Sequence, residues 1–141
     1  MSRVFLDTNI LIYLMEDYGE VSTQVANLAL RMKARKDVLI TSTMTLGEIM
    51  VKPYADRNDV LVQRYQSFFE SPSLELVNFD EVAAWEYAVV RQDKYIKAPD
   101  AIQLACAAAV KCDLFITNDD RLSKKVVPGI QFIVSLDRVP I

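Results

Sequence analysis

Three apolar residues, Val4-Phe5-Leu6, run straight into an acid, Asp7. A run with no polar alternation reads as a short strand buried on both faces, the kind found inside a helix-covered sheet. Asp7 stands where that strand should end. In open α/β sheets ligands bind beyond the carboxyl ends of the strands, so an acid there faces a crevice. Thr8 and Asn9 read as caps for a helix beginning at Ile10. The plainer alternative is that Asp7 is only a turn or capping acid.

The alternation continues along the chain. Ile10 to Glu16 form a short helix, broken at Tyr18-Gly19, and Val21, Val25, Leu28, Ala29 and Met32 repeat at helical spacing to about Arg35. Val38-Leu39-Ile40 is a second buried strand, followed by a helix from Thr43 to Val51 that Pro53 should stop. Asp56 to Glu70 is amphipathic through Leu61, Tyr65, Phe68 and Phe69. After the Ser71-Pro72-Ser73 turn come a third strand, Leu74 to Phe79, and a helix capped by Asp80 that carries Val82, Trp85 and Val89 and could extend to Tyr95. Pro99 opens a further helix running to Lys111. Leu114 to Thr117 is a fourth strand, Asp120 to Lys125 a helical turn, and Ile130 to Ser135 a last strand. Strands alternating with helices imply crossover connections and a mostly parallel sheet. No linker, repeat or low-complexity tract interrupts residues 1–141, so one domain is expected.

Composition narrows the chemistry. Sixteen basic residues against 19 acidic ones leave a formal charge of -3, which does not describe a general polyanion binder. There is no histidine, which excludes His-based triads, His-ligated zinc and imidazole acid–base work. Cys106 and Cys112 form no Cys-x-x-Cys pair and suit a reducing compartment. No apolar run approaches membrane-spanning length, and Met1-Ser2-Arg3 leads directly into the first strand, leaving no room for a signal peptide. A cytoplasmic protein that does not enter membranes is the expectation.

Four acids stand at structural junctions: Asp7 after the first strand, Glu48 early in the helix after the second, Asp100 in the first turn of the Pro99 helix, and Asp119 after the fourth strand. Each has a plainer explanation. Thr45-Leu46-Gly47-Glu48 matches a capping box with Glu48 at its third helical position. Asp100 suits the start of a helix dipole, and Asp119 suits a turn. Together, however, clustered carboxylates repel unless protonated or bridged by a cation, and an all-oxygen set suits Mg2+ or Mn2+.

These residues resemble a family. The strand ending in Asp7-Thr8-Asn9, then Ser42-x-x-Thr45-x-x-Glu48, then Asp100-Ala101-Ile102-x-Leu104-Ala105-x-Ala107, then Thr117-Asn118-Asp119, is similar to the PIN domain, most closely to the VapC-type toxin ribonucleases of prokaryotic toxin–antitoxin pairs. The resemblance spans nearly the whole chain in the right order. It implies a three-layer α/β/α sandwich around a parallel sheet, and metal-dependent cleavage of single-stranded regions of RNA that leaves a 5′-phosphate and a 3′-hydroxyl. Asp7, Glu48, Asp100 and Asp119 match the acidic quartet; Asn9 and Thr117 match polar residues that support it. Leu122 stands where the family often has an aromatic residue, and Asp120 adds an acid beside Asp119. On this reading Asp7 and Asp100 hold the main ion, Asp119 holds a second ion or a ligand water, Glu48 binds through water or orients the attacking water, and Asn9 fixes a carboxylate rotamer.

Other features point to packing or solvent. Arg121, Lys124 and Lys125 follow Asp119 and could touch phosphate, but read better as a solvated face; Phe68 and Phe69 could stack bases, but they and Trp85 read better as core. The apolar content of Ile10 to Met15, Val21 to Met32 and the Tyr65 helix exceeds what one sheet face needs, and an interaction patch is expected there. The resemblance implies a homodimer and a groove for a VapB-type antitoxin that brings a basic residue to the acids. Rival readings are a non-catalytic PIN domain that binds RNA or a protein partner, a haloacid-dehalogenase-like phosphatase, and a receiver-like signalling domain. The phosphatase wants a second aspartate two residues after the first, where Asn9 stands; the receiver wants paired acids and a later lysine that are absent.

Overall fold

The computed structural model describes residues 1–141. Its elements are β1 (Arg3–Leu6), α1 (Thr8–Met15), α2 (Glu20–Arg35), β2 (Val38–Ser42), α3 (Thr43–Ala55), α4 (Asp59–Phe69), β3 (Leu74–Val77), α5 (Glu81–Val90), α6 (Ala98–Ala109), β4 (Leu114–Thr117) and β5 (Phe132–Ser135), with 3-10 turns at Leu122–Lys124 and Leu136–Arg138. The strands lie in the order β3-β2-β1-β4-β5, and every pairing is parallel. β1 is therefore central. The chain first adds β2 and β3 on one side of it, then crosses back to add β4 and β5 on the other.

That reversal distributes the helices. Right-handed crossovers in opposite directions place their helices on opposite faces. Val4, Leu6, Leu114 and Ile116 pack against Ile10, Leu28, Ile49 and Tyr65 of α1 to α4. Phe5, Ile40, Phe115 and Ile133 pack against α5 and α6 through Ala83, Leu104 and Ala107. The Phe5 and Phe115 rings stack at 5.0 Å across the β1–β4 pair. The result is the expected α/β/α sandwich. Cys106 and Cys112 are buried free thiols. No helix is long and apolar enough to cross a membrane.

Four local expectations change. Asp7 itself caps α1, its carboxylate accepting the Thr8 N–H at 2.8 Å; Thr8 is already the first helical residue. α3 runs through Pro53 to Ala55. The backbone hydrogen bond that proline cannot donate falls in the last turn, and the ring is buried. The cap of α3 is Ser42, whose hydroxyl accepts the Thr45 N–H, so Glu48 is the sixth helical residue and no capping box involves it. α5 ends at Val90 and leaves Tyr95 in the turn before α6; its buried residues are Ala83 and Val90, while Val82, Trp85 and Val89 face solvent, with Trp85 73% exposed. Small residues allow α5 and α6 to approach closely, and the large ones are turned outward.

Candidate active site

The strand order reverses between β1 and β4, and the crevice beyond their carboxyl ends is where such sheets bind ligands. A cleft of about 490 Å³ opens there with no hydrophobic residue in its lining. Asp7, Glu48, Asp100 and Asp119 all line it, as do Asn9 and Thr117. The six residues selected from sequence thus meet in one place.

Each acid is positioned by a different element. Asp7 ends β1, where its own N–H donates to Ile116 O of β4 at 3.0 Å. Thr117, the last residue of β4, donates its hydroxyl to Asp7 Oδ2 at 2.9 Å and accepts the Asp119 N–H at 3.1 Å. One buried hydroxyl therefore ties the two strand-end acids together. Asp119 also accepts the N–H groups of Arg121 and Leu122, so it shapes the turn that follows β4 as well as facing the cleft. Asp100 is the third residue of α6, with Pro99 before it in the first turn.

Glu48 is held by side chains alone. Its Oε1 accepts the Thr8 hydroxyl at 2.8 Å and the Gln103 amide at 3.3 Å. Gln103 is the residue that sequence reasoning passed over. It is 2% exposed, and its Nε2 also reaches Thr45 Oγ1 at 2.7 Å and Thr8 Oγ1 at 3.1 Å. The Ser42 hydroxyl donates to its Oε1, which fixes the orientation of the amide. Its only sequence signal is position: one turn after Asp100, a polar residue in an otherwise apolar helix. Asn9 is exposed at the rim and makes no hydrogen bond to an acid; Thr8 makes that contact to Glu48.

The electrostatics follow from this crowding. Burial pushes the Asp7 carboxyl from its ordinary 3.8 up to about 6, and the charges of Asp100 and Glu48 add to the rise; the Thr117 hydroxyl and Thr8 N–H oppose it. Asp100 is also raised, first by burial and then by Asp119 and Glu48, with Lys97 opposing. No hydrogen bond to Asp100 offsets its rise. Carboxylates that raise one another's proton affinity are the condition a cation relieves. No three of them stand close enough to enclose an ion. Mg2+ is ordinarily held by one or two carboxylates and keeps several waters, so the donor set fits a hard, hydrated ion rather than a caged one.

The family model described as PIN domain matches residues 4–127. No curated protein matches the chain in sequence. Among solved structures, VapBC2 from Rickettsia felis, bound to a DNA fragment from its promoter, is similar at 17% identity with a TM-score of 0.74, over 94% of this chain and 97% of that one. DNA-bound VapBC from Salmonella typhimurium is similar at 21% identity with a TM-score of 0.70, over 96% and 99%. A toxin–antitoxin complex from Klebsiella pneumoniae is similar at 25% identity with a TM-score of 0.63, over 92% and 95%.

Proposed function

The chain belongs to the PIN domain family, and on that premise we propose that it is a metal-dependent endoribonuclease, one catalytic domain over residues 1–141, acting as the toxin of a type II toxin–antitoxin pair. The observation that carries this reading is the wholly polar cleft at the β1–β4 switch point, where Asp7, Glu48, Asp100 and Asp119 converge. A bound Mg2+ or Mn2+ supplies Lewis acidity toward the phosphate and an activated water. Asp7 and Asp100 are the residues to hold it, because burial and mutual repulsion make their charges the most in need of a counter-ion. Asp119, tied to Asp7 through Thr117, stands ready for a second ion or a ligand water. Glu48, which Thr8 and Gln103 orient, would bind the ion through a water or orient the attacking water and take its proton, a reading those two hydrogen bonds support.

Partners follow from surfaces and from the relatives. The three similar structures are toxin–antitoxin complexes. A groove of about 550 Å³ between α3 and α4, lined by Leu46, Met50, Val51, Tyr54 and Phe69, suits the apolar face of an antitoxin helix. Basic residues further along that antitoxin would reach the acids and compete with the metal. The exposed stripe of Val82, Trp85 and Val89 on α5 suits a second copy of the chain.

The test is cleavage of a panel of structured RNAs with Mg2+, Mn2+ or chelator, wild type beside Asp7→Asn. Metal-dependent cutting that Asp7→Asn abolishes without unfolding the protein supports the reading. Equal rates for a folded, nuclease-free Asp7→Asn protein would end it.

A further inference from the structure

We propose that the cleft continues into a stacking site for one base of a single-stranded nucleic acid, formed by the ring of Tyr95 with Lys97 and Arg121 receiving the adjoining phosphates. This rests on reading the acidic cleft as the site of phosphodiester cleavage.

The acid cleft shares Asp100, Asp119 and Arg121 with a smaller hollow of about 90 Å³, bordered further by Tyr95, Lys97 and Lys125. The two are one continuous surface. Tyr95 is 88% exposed, more than any other aromatic residue of the chain. Its backbone is nevertheless held. One oxygen of Asp93 accepts the Tyr95 N–H at 2.9 Å, and the other pairs with Lys125 Nζ at 2.9 Å. That ammonium lies 5.5 Å from the ring centroid, and the next residue, Ile96, is buried in the core. The turn presents a ring that adds little to folding, beside acids that have a phosphate to find.

The cations around it differ in their ties. Lys125 is neutralised locally by Asp93. Lys97 and Arg121 belong to none of the three ion pairs of the chain, although both line the hollow. In a chain of net charge -3, two unpaired cations at the mouth of an acid cleft mark where a polyanion can approach. A flat exposed ring adds affinity only for a base with a free face, which selects a single strand or an unpaired loop over a duplex. Trp85 is also exposed, but it lies on α5 and lines neither the cleft nor the hollow.

The test is fluorescence anisotropy of a labelled single-stranded eight-nucleotide RNA, and of its duplex, against the Glu48→Gln protein with Mg2+, which keeps Asp7 and Asp100 for the ion. In that background Tyr95→Ala should weaken single-strand binding about tenfold, Tyr95→Phe should stay within about twofold, and the duplex should be insensitive to both. Lys97→Ala should flatten the salt dependence. Binding unchanged by Tyr95→Ala, equal losses with Tyr95→Phe, or no single-strand binding at all would each overturn the stacking site. Cleavage by wild type and by Tyr95→Ala protein judges the cleft separately: cutting by wild type with an unmoved KM in Tyr95→Ala removes the stacking site and leaves the nuclease reading standing.

Discussion

Gln103 Nε2 lies 2.7 Å from Thr45 Oγ1, joining α6 to α3 through two buried side chains behind the acid cleft. The amide has a defined orientation because the Ser42 hydroxyl donates to its oxygen, and Ser42 in turn accepts the Thr45 N–H. Gln103→Leu keeps the volume but leaves Ser42 and Thr45 without their partner and Glu48 with one donor fewer. Each buried polar group left unpaired costs about 1–3 kcal/mol. Urea unfolding should show a loss in that range or somewhat above it. A variant as stable as wild type would mean that the network contributes nothing to folding.

The second prediction concerns pH. The folded pKa of Asp7 is raised from 3.8 to about 6, so the folded state holds the proton more tightly than the unfolded chain does. Its stabilising contribution is complete below about pH 4 and is lost as pH rises through about 6. The shift corresponds to roughly 3 kcal/mol, and Asp100 acts in the same direction. With chelator present, unfolding free energy should therefore be lower at pH 7.5 than at pH 4.5, against the usual acid sensitivity of proteins. Asp7→Asn should remove most of that slope. An identical pH profile in the variant would show that Asp7 is not the group responsible.

Much of this site was legible before the fold, and its limits are instructive. Asp7, Asp100 and Asp119 were readable because each follows an unambiguous boundary: two buried strands and a proline. Glu48 was read on the right helix, and only its capping-box alternative fell one turn out. Ser42-x-x-Thr45 and Thr45-x-x-Glu48 are overlapping cap patterns, and only the end of β2 decides between them. Gln103 was passed over because its partners come from β2, α1 and α3, and no periodicity along α6 reports contacts of that kind. Trp85 was misplaced because α5 is apolar nearly all round; the side that packs is chosen by small size at Ala83. Arg121 was read as solvated, yet it lines the cleft.

The third prediction concerns metal. Mg2+ or Mn2+ that binds the folded chain alone should raise its melting temperature by mass action, the folded state gaining about 2.7 kcal/mol at a hundredfold excess over the dissociation constant. Asp100→Asn removes a charge that repels Asp7, Glu48 and Asp119. The variant should melt higher than wild type in chelator and respond less to metal. Differential scanning fluorimetry across millimolar metal measures both. A flat melting temperature for wild type would count against a shared cation site.

The last prediction concerns self-association. Val82, Trp85 and Val89 recur at i, i+3 and i+7 on α5 and are 55%, 73% and 51% exposed, with Phe79 nearby at 44%. Such a stripe on a water-facing helix has no role in the core, whose contacts on α5 come from Ala83, Tyr87 and Val90. In a two-fold dimer the same patch meets itself, so any residue in it acts twice. A tryptophan at the centre of an interface is worth about 2 kcal/mol or more when removed. Counted for both copies, Trp85→Glu should cost about 4 kcal/mol and raise the dimer dissociation constant on the order of a thousandfold. Light scattering at micromolar concentrations should give a dimer mass for wild type and a monomer mass for Trp85→Glu, with the far-ultraviolet circular dichroism of the two proteins superimposable. A monomeric wild type at those concentrations, or a Trp85→Glu protein that remains dimeric, would show that the α5 stripe is not where two copies meet.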